Sequence, residues 1–216
     1  MLRSFKALSG LAIRATDGRL GTVSDIYFDD RTWQVRYCVV DSGGWFADGR
    51  VLIKPRSLSI VDSRRNELWV RLARAEILRS RKADSDKPVS KQRAGLITSI
   101  RSFGRRMSRH GEHSITAQPD RHLRSCRAVL GHRVHAVDGT IGRVDDLLID
   151  GRGWTIPELV VDTGGGNDAP ARVVVAATQV REISWPDSTV SIALTRDALL
   201  GAPGYAPISR DARLCS

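Results

Sequence analysis

Cysteine is scarce in this 216-residue chain: Cys38, Cys126 and Cys215 are the only three. Their odd number and wide spacing exclude a disulfide framework and a paired Cys-x-x-Cys metal knuckle, so reduced thiols are expected. No apolar run approaches the ~18 to 20 residues that a membrane-spanning helix needs. Gly-x-Ser-x-Gly is absent, and so is the Gly-Lys-Ser/Thr of a phosphate loop. That removes the usual sequence grounds for a serine hydrolase or a nucleotide-triphosphate site. The basic start Met1–Leu8 has no continuous apolar core behind it, so no cleaved signal peptide is expected and the chain reads as cytoplasmic.

Positive charge is abundant, and it is localised. The net charge is +10, and between Arg79 and Arg127 thirteen Arg and Lys stand against the four acids Asp84, Asp86, Glu112 and Asp120. Most of the basicity therefore lies in one stretch, and the flanking sequence is nearly neutral.

Those flanks are copies of each other. Ala15-Thr-Asp-Gly-Arg-Leu-Gly-Thr-Val-Ser-Asp25 returns as Ala136-Val-Asp-Gly-Thr-Ile-Gly-Arg-Val-Asp-Asp146, and Val39-Val-Asp-Ser-Gly-Gly44 returns as Val160-Val-Asp-Thr-Gly-Gly165. Asp29 and Trp33 are matched by Asp150 and Trp154 at the same offset, which marks duplication of a structural unit. In each copy a period-two strand (Leu11 to Ala15 in the first) runs into an Asp-Gly turn. The apolar phase then slips by one residue near Ser24-Asp25, the mark of a β-bulge. Further strands are expected at Trp33 to Asp41, Val51 to Ile53 and Leu68 to Leu72. Their counterparts are Trp154 to Asp162, Val173 to Val175 and Val190 to Leu194. Short helical pieces, Ala73 to Ser80 and Thr195 to Gly201, end the units. Short strands separated by frequent turns, without long helical patterns, predict an all-β chain of two small antiparallel β-barrels, each closed by a short helix.

In order, the Asp-Gly-x-x-Gly-x-Val hairpin, the Val-Val-Asp-Ser/Thr-Gly-Gly loop, the Val-Leu-Ile strand and the Leu-Thr-Arg closure with Pro203 and Tyr205 resemble the PRC-barrel domain. That family is named for the cytoplasmic domain of the photosynthetic reaction-centre H subunit, and it also forms the C-terminal domain of a ribosome maturation factor. The first copy lacks a counterpart of Pro203 and Tyr205, and the second lacks the pair Trp45-Phe46. The resemblance implies an interaction module without catalytic residues, so no active-site residue carries over.

Every chemically suggestive group also has a structural use. Asp17, Gly18, Gly21, Asp41 and Gly43, with Asp138, Gly139, Gly142, Asp162 and Gly164, fall at turns and loops. There carboxylates accept backbone N–H groups and glycine admits unusual backbone angles. The retained acids Asp25 and Asp146, and Asp29 and Asp150, sit at the bulge and the next turn, where the same use is expected rather than glycosidase chemistry. His110, His113, His122, Cys126, His132 and His135 lack the spacing of a zinc site, and no metal or other cofactor is expected. Gly151-Arg152-Gly153 and Gly164-Gly165-Gly166 are turns, since neither joins a strand to a helix N-terminus.

Candidate partner-binding residues lie where the copies differ. Leu96, Ile97, Ile100, Phe103 and Met107 recur at helical spacing over 95–109, with Arg101, Arg105, Arg106 and Arg109 beside them. Such a segment suits an anionic membrane surface or nucleic-acid phosphates, or serves as a solvated connector. Trp45 and Phe46 are large apolar residues in a loop, available to anchor a partner or to cap the barrel. The resulting expectation is a first barrel over 5–80, a basic linker over 81–126 with an amphipathic helix at 95–109, a second barrel over 127–209 and a tail over 210–216. The chain is expected to be a non-enzymatic cytoplasmic adaptor that binds protein, at the membrane periphery. The alternative is RNA or ribosome association through the linker, and pairing with a second copy of the chain stays open.

Overall fold

Asp17 and Gly18 turn the chain between strands β2 (Ala12–Ala15) and β3 (Gly18–Asp29), and this hairpin starts the first of two sheets. The computed structural model of the protein describes residues 2–43, 49–59, 67–78, 88, 120–165 and 171–206. These fall into two compact units, one of Met1–Val129 with Asp150–Thr155 and the other of Leu130–Ile149 with Ile156–Ser216.

In the first unit, β1 (Leu2–Ser4) leads into a helical turn, Phe5–Leu8, whose N-terminus is capped by Ser4 Oγ accepting from Ala7 N at 3.2 Å. After β2 and β3 come β4 (Val35–Asp41), β5 (Arg50–Ile53), a 3-10 corner at Pro55–Ser57, β6 (Glu67–Trp69) and a helix, Arg74–Leu78. The sheet order is β5-β4-β3-β2-β6. Ile13 and Ala15 are buried while Ala12 and Arg14 are not fully so, the alternation that the sequence predicts for β2. The register between β3 and β4 shifts between Val23 and Asp25, where the phase slip falls, and the bulge turns the Asp25 side chain into the protein.

A further strand, β7 (Leu123–Ser125), joins this sheet from a stretch that the sequence reading gives to the linker. It pairs antiparallel with β3 through Tyr27↔Ser125, Phe28↔Arg124 and Asp29↔Leu123, and a helical turn, Cys126–Val129, follows it. The length of β3 makes this geometrically feasible. One edge of β3 is used by β2 as far as Thr22 and by Gly10 and Leu11 at Val23, which leaves Tyr27–Asp29 for β7.

The second unit repeats the pattern with β8 (Arg133–Ala136), β9 (Gly139–Asp150), β10 (Thr155–Asp162) and β11 (Arg172–Ala176). A 3-10 corner at Ala177–Gln179 leads to β12 (Val180–Ser184), β13 (Thr189–Ile192) and the helix Arg196–Leu200. Its order is β11-β10-β9-β8-β13-β12.

The architecture is mostly β, as expected, with two corrections. The sheets are not purely antiparallel, because β2 pairs parallel with β6 and β8 with β13. Direction reverses at each strand from β2 to β5 and once more between the corner and β6, since Leu58 beyond the corner bridges Val70 antiparallel, so β6 runs like β2. In the second unit the last reversal lies between β12 and β13, and β13 runs like β8. Nor does the hydrogen-bonded path close into a barrel among the described residues. It ends at β5 and β6 in one unit and at β11 and β12 in the other, with the 3-10 corners interrupting the ladder after β5 and β11. No helix among the described residues is long and apolar enough to cross a membrane.

The turn after β3 places Trp33 at φ 57°, and Trp154 stands at φ 50° at the matching position. This left-handed region is uncommon for a bulky side chain. Trp33 stacks on Phe28 with ring centroids 5.4 Å apart, and Asp29 accepts the N–H groups of Arg31 and Thr32, which together hold the turn.

Candidate interaction surface

A connected set of polar contacts in the first unit lies along β3, where the segment 120–129 docks. Backbone pairing supplies the frame, and Asp30 N extends it by donating to His122 O at 3.0 Å. Leu123 enters a buried cluster with Tyr27, Tyr37, Val39 and Leu52, while Cys126 and Val129 are also buried.

Two carboxylates of the β3 region then latch the segment. Asp30 takes the Arg124 guanidinium on one oxygen and His122 Nδ1, at 2.9 Å, on the other. Asp25 accepts from Ser125 Oγ at 2.5 Å, and its second oxygen accepts Ile26 N at 2.8 Å and Arg127 N at 3.1 Å. Ser125 Oγ in turn caps the helical turn by accepting Ala128 N at 3.1 Å, and the Arg127 guanidinium donates to Ser9 Oγ. Unpaired carboxylates at such depth would be costly, and these hydrogen bonds offset that cost.

Burial pushes the Asp25 carboxyl above its ordinary 3.8, and the bonds from Ser125, Arg127 and Ile26 only partly counter it. A raised folded-state value means that folding favours the protonated form. This group therefore adds stability as pH falls toward 3.8, and the contribution is lost as pH rises through the folded value. An Asp25→Asn chain keeps an acceptor for the two backbone N–H groups and is expected to lose this part of the pH slope. Urea unfolding from about pH 4 to 8 checks it, and parallel slopes for both chains would contradict it. Asp29 works in another window. Burial raises its carboxyl, but the Arg31 and Thr32 N–H groups and Arg36 outweigh burial and hold it below 3.8, so its contribution is lost only on stronger acidification.

The buried Cys38 thiol is pushed up to about 12 by burial, with the Asp25 charge adding to the effect. A thiol that protonated is not a nucleophile near neutral pH.

The duplicated turn residues form a second set of contacts. Asp17 Oδ1 accepts Arg74 N at 3.0 Å, and Asp138 Oδ1 accepts Arg196 N at 2.8 Å, so each hairpin turn holds the first residue of its unit's closing helix. The Arg196 N–H bond is the main reason that the Asp138 carboxyl lies below its ordinary value. Asp41 Oδ1 accepts Gly43 N, and Asp162 Oδ1 accepts Gly164 N. Gly21 and Gly142 lie where β3 and β9 pass closest to the ends of β4 and β10. A Cβ would fall 2.0 Å from Asp41 O in the first case and 2.1 Å from Asp162 O in the second. Gly18 and Gly139 open the hairpin strands beside Arg74 and Arg196. A shallow groove of about 440 Å³ runs along Arg19–Thr22 and Asp41–Gly43, with Arg74 at its side.

Trp45, Phe46, Leu96, Ile100, Arg101, Phe103, Arg105, Arg106 and Arg109 all lie outside the described residues, as do His110 and His113. Of the other metal-type candidates, His122 and Cys126 belong to the docked segment. His132 packs edge-on against Trp185 with ring centroids 5.5 Å apart, and His135 Nδ1 lies 3.3 Å from Thr140 Oγ1. Sequence reasoning missed the latch of Asp25 and Asp30 on His122, Arg124, Ser125 and Arg127. One signal was there: Leu123-Arg124-Ser125 repeats Leu2-Arg3-Ser4 at the offset that relates Ala136 to Ala15.

Residues 3–73 match the family model of the PRC-barrel domain, a span that runs from β1 to the residue before the helix Arg74–Leu78. No curated protein matches the chain.

Proposed function

Starting from a PRC-barrel domain in the N-terminal third of the chain, we propose that the protein is a non-enzymatic adaptor of two PRC-type barrels that binds protein partners at the cytoplasmic membrane surface. The observation that carries this reading is the β3 edge of the first unit. It holds a segment from far along the chain by strand addition and uses its most deeply buried carboxylate as an acceptor for that segment. A carboxylate occupied in this way serves recognition, whereas acid–base catalysis needs one free to exchange a proton with a substrate. The second unit repeats the strand order, which supports reading it as another barrel of the same type.

In this reading the basic stretch contacts an anionic surface, with Arg101, Arg105, Arg106 and Arg109 each contributing on the order of 1 kcal/mol near anionic lipid. The surplus of seven positive charges between Arg79 and Arg121 also favours a second reading, RNA or ribosome association. Co-sedimentation with anionic vesicles and with ribosomes across a salt series separates the two. The first reading expects vesicle binding that weakens with salt and falls about 100-fold or more when residues 94–109 are deleted. Binding to ribosomes alone would favour the second. If the chain binds neither, the contact lies with a protein partner, and exchanging Trp45 and Phe46 for Ala is expected to abolish its capture. Capture that survives that exchange and the deletion would remove both candidate sites.

A further inference from the structure

The two copies build the same corner with different chemistry. In the first unit the 3-10 corner Pro55–Ser57 runs into an antiparallel bridge of Leu58 with Val70, and in the second Ala177–Gln179 runs into β12 paired with β13. One backbone bond recurs in both: Ser57 O accepts Arg71 N at 2.8 Å, and Gln179 O accepts Ala193 N at 2.8 Å. Lys54 O accepts Ser57 N at 3.0 Å, so Lys54 belongs to the same turn. Lys54, Arg56 and Arg71 are all exposed. Their counterparts Ala176, Thr178 and Ala193 are exposed too, and none of them is charged. The corner therefore folds without the cations.

Nor are the cations used inside the unit. Among the described residues no carboxylate pairs with any of the three, and Glu67, the acid of β6, is taken by Arg14 at 3.8 Å. Trp69 stands two residues before Arg71, so the pleat turns both outward while Leu68 and Val70 are buried. The second copy has Ser191 in place of Trp69. One face of the first unit thus gains three unpaired cations and a half-buried tryptophan. Exposed Lys and Arg attract anionic headgroups, and tryptophan settles at headgroup level with its apolar body inward and its N–H in the polar layer. Single-stranded nucleic acid also uses cations beside aromatics, but its bases need an open ring face to stack on. Here the Arg14 guanidinium lies over the Trp69 ring, 5.6 Å from its centroid.

We propose that the corner of the first unit, Lys54, Arg56 and Arg71 with Trp69 beside them, docks on the headgroups of an anionic lipid surface, a contact that the second unit lacks. The inference rests on the membrane-periphery reading and gives it a site apart from residues 94–109.

Flotation of the full chain with vesicles of phosphatidylcholine, alone or mixed with phosphatidylglycerol, tests it. A Lys54→Ala, Arg56→Thr, Arg71→Ala chain gives the first corner the residues that the second already carries on the same backbone, and its urea midpoint checks that it folds. Its affinity for the mixed vesicles is expected to fall about 100-fold. A control chain, Arg133→Ala with Arg143→Ala and Arg181→Ala, removes the same charge from exposed positions of the second unit and is expected to bind as the parent does. If the parent binds the mixed vesicles and the corner exchange leaves its affinity unchanged, or the control loses as much, the corner is overturned as the site and the membrane reading stands. A parent chain that binds neither kind of vesicle would overturn both. A corner exchange that weakens binding to single-stranded RNA and not to vesicles would overturn lipid as the partner in favour of nucleic acid.

Discussion

A Gly21→Ala chain is expected to lose about 3 kcal/mol or more of stability, a large share of what a small domain has. The added methyl would fall 2.0 Å from Asp41 O, and the obstacle is backbone, so no side-chain rotation relieves the clash. Either β3 moves away from β4 or the Asp41–Gly43 loop shifts, and either change pulls on the ladder that begins at Thr22↔Asp41. Backbone angle also contributes, since Gly21 has φ +157°. Gly43→Ala separates the two effects. It sits at φ +61° with nothing within 4 Å of a new Cβ, so it pays only the left-handed conformational cost, roughly 1 to 2 kcal/mol. Gly142→Ala, where the approach to Asp162 O is 2.1 Å, is expected to match Gly21→Ala in the other unit. Urea midpoints for the three chains provide the comparison, and a Gly21→Ala loss no larger than that of Gly43→Ala would refute the close-approach account.

Leu123→Ala is expected to cost about 2 to 5 kcal/mol, the range for truncating a buried leucine. In a solvated connector the same change would stay within about 0.5 kcal/mol, so the measurement distinguishes a core residue from a linker residue. Leu123 is 2% exposed and packs with Tyr27, Tyr37, Val39 and Leu52. Its removal leaves a void beside two tyrosines whose rings depend on it for cover. The same truncation should weaken the Asp25 latch two residues away, so the pH slope assigned to Asp25 should flatten in this chain too. Chemical unfolding at two pH values reads both effects.

The hairpin and the bulge were legible because their signals are local. Asp-Gly between two short apolar patterns specifies the β2–β3 turn, and the slip from Val23 to Ile26 lies within a few residues. The parallel closing pairs follow from counting strand reversals, a step that sequence periodicity does not contain. β7 was illegible for another reason. Three residues are too few to establish a period of two, and its hydrogen-bonding partners are 94 to 100 residues away in the chain. Its basic residues also merged with those of the stretch before it, so Arg124 and Arg127 counted as linker charge although they meet Asp30, Asp25 and Ser9. Of the candidate site, the turn carboxylates could be located from sequence as hydrogen-bond acceptors. What could not be read is that Asp25 and Asp30 accept from a distant segment.

The late position of β7 has a consequence for synthesis. A ribosome completes β6 at Trp69 long before it reaches Val129, and at roughly 5 to 20 residues per second that interval lasts about 3 to 12 s. Throughout it, a nascent chain can form β2 to β6 while Tyr27–Asp29 still present open backbone groups and a tyrosine-lined face. Such an edge invites pairing with neighbouring nascent chains on the same message. Translation speed across residues 79–122 therefore sets how long the first unit waits for its own cover, and slowing it there should raise the yield of misassembled chains without altering a single native contact.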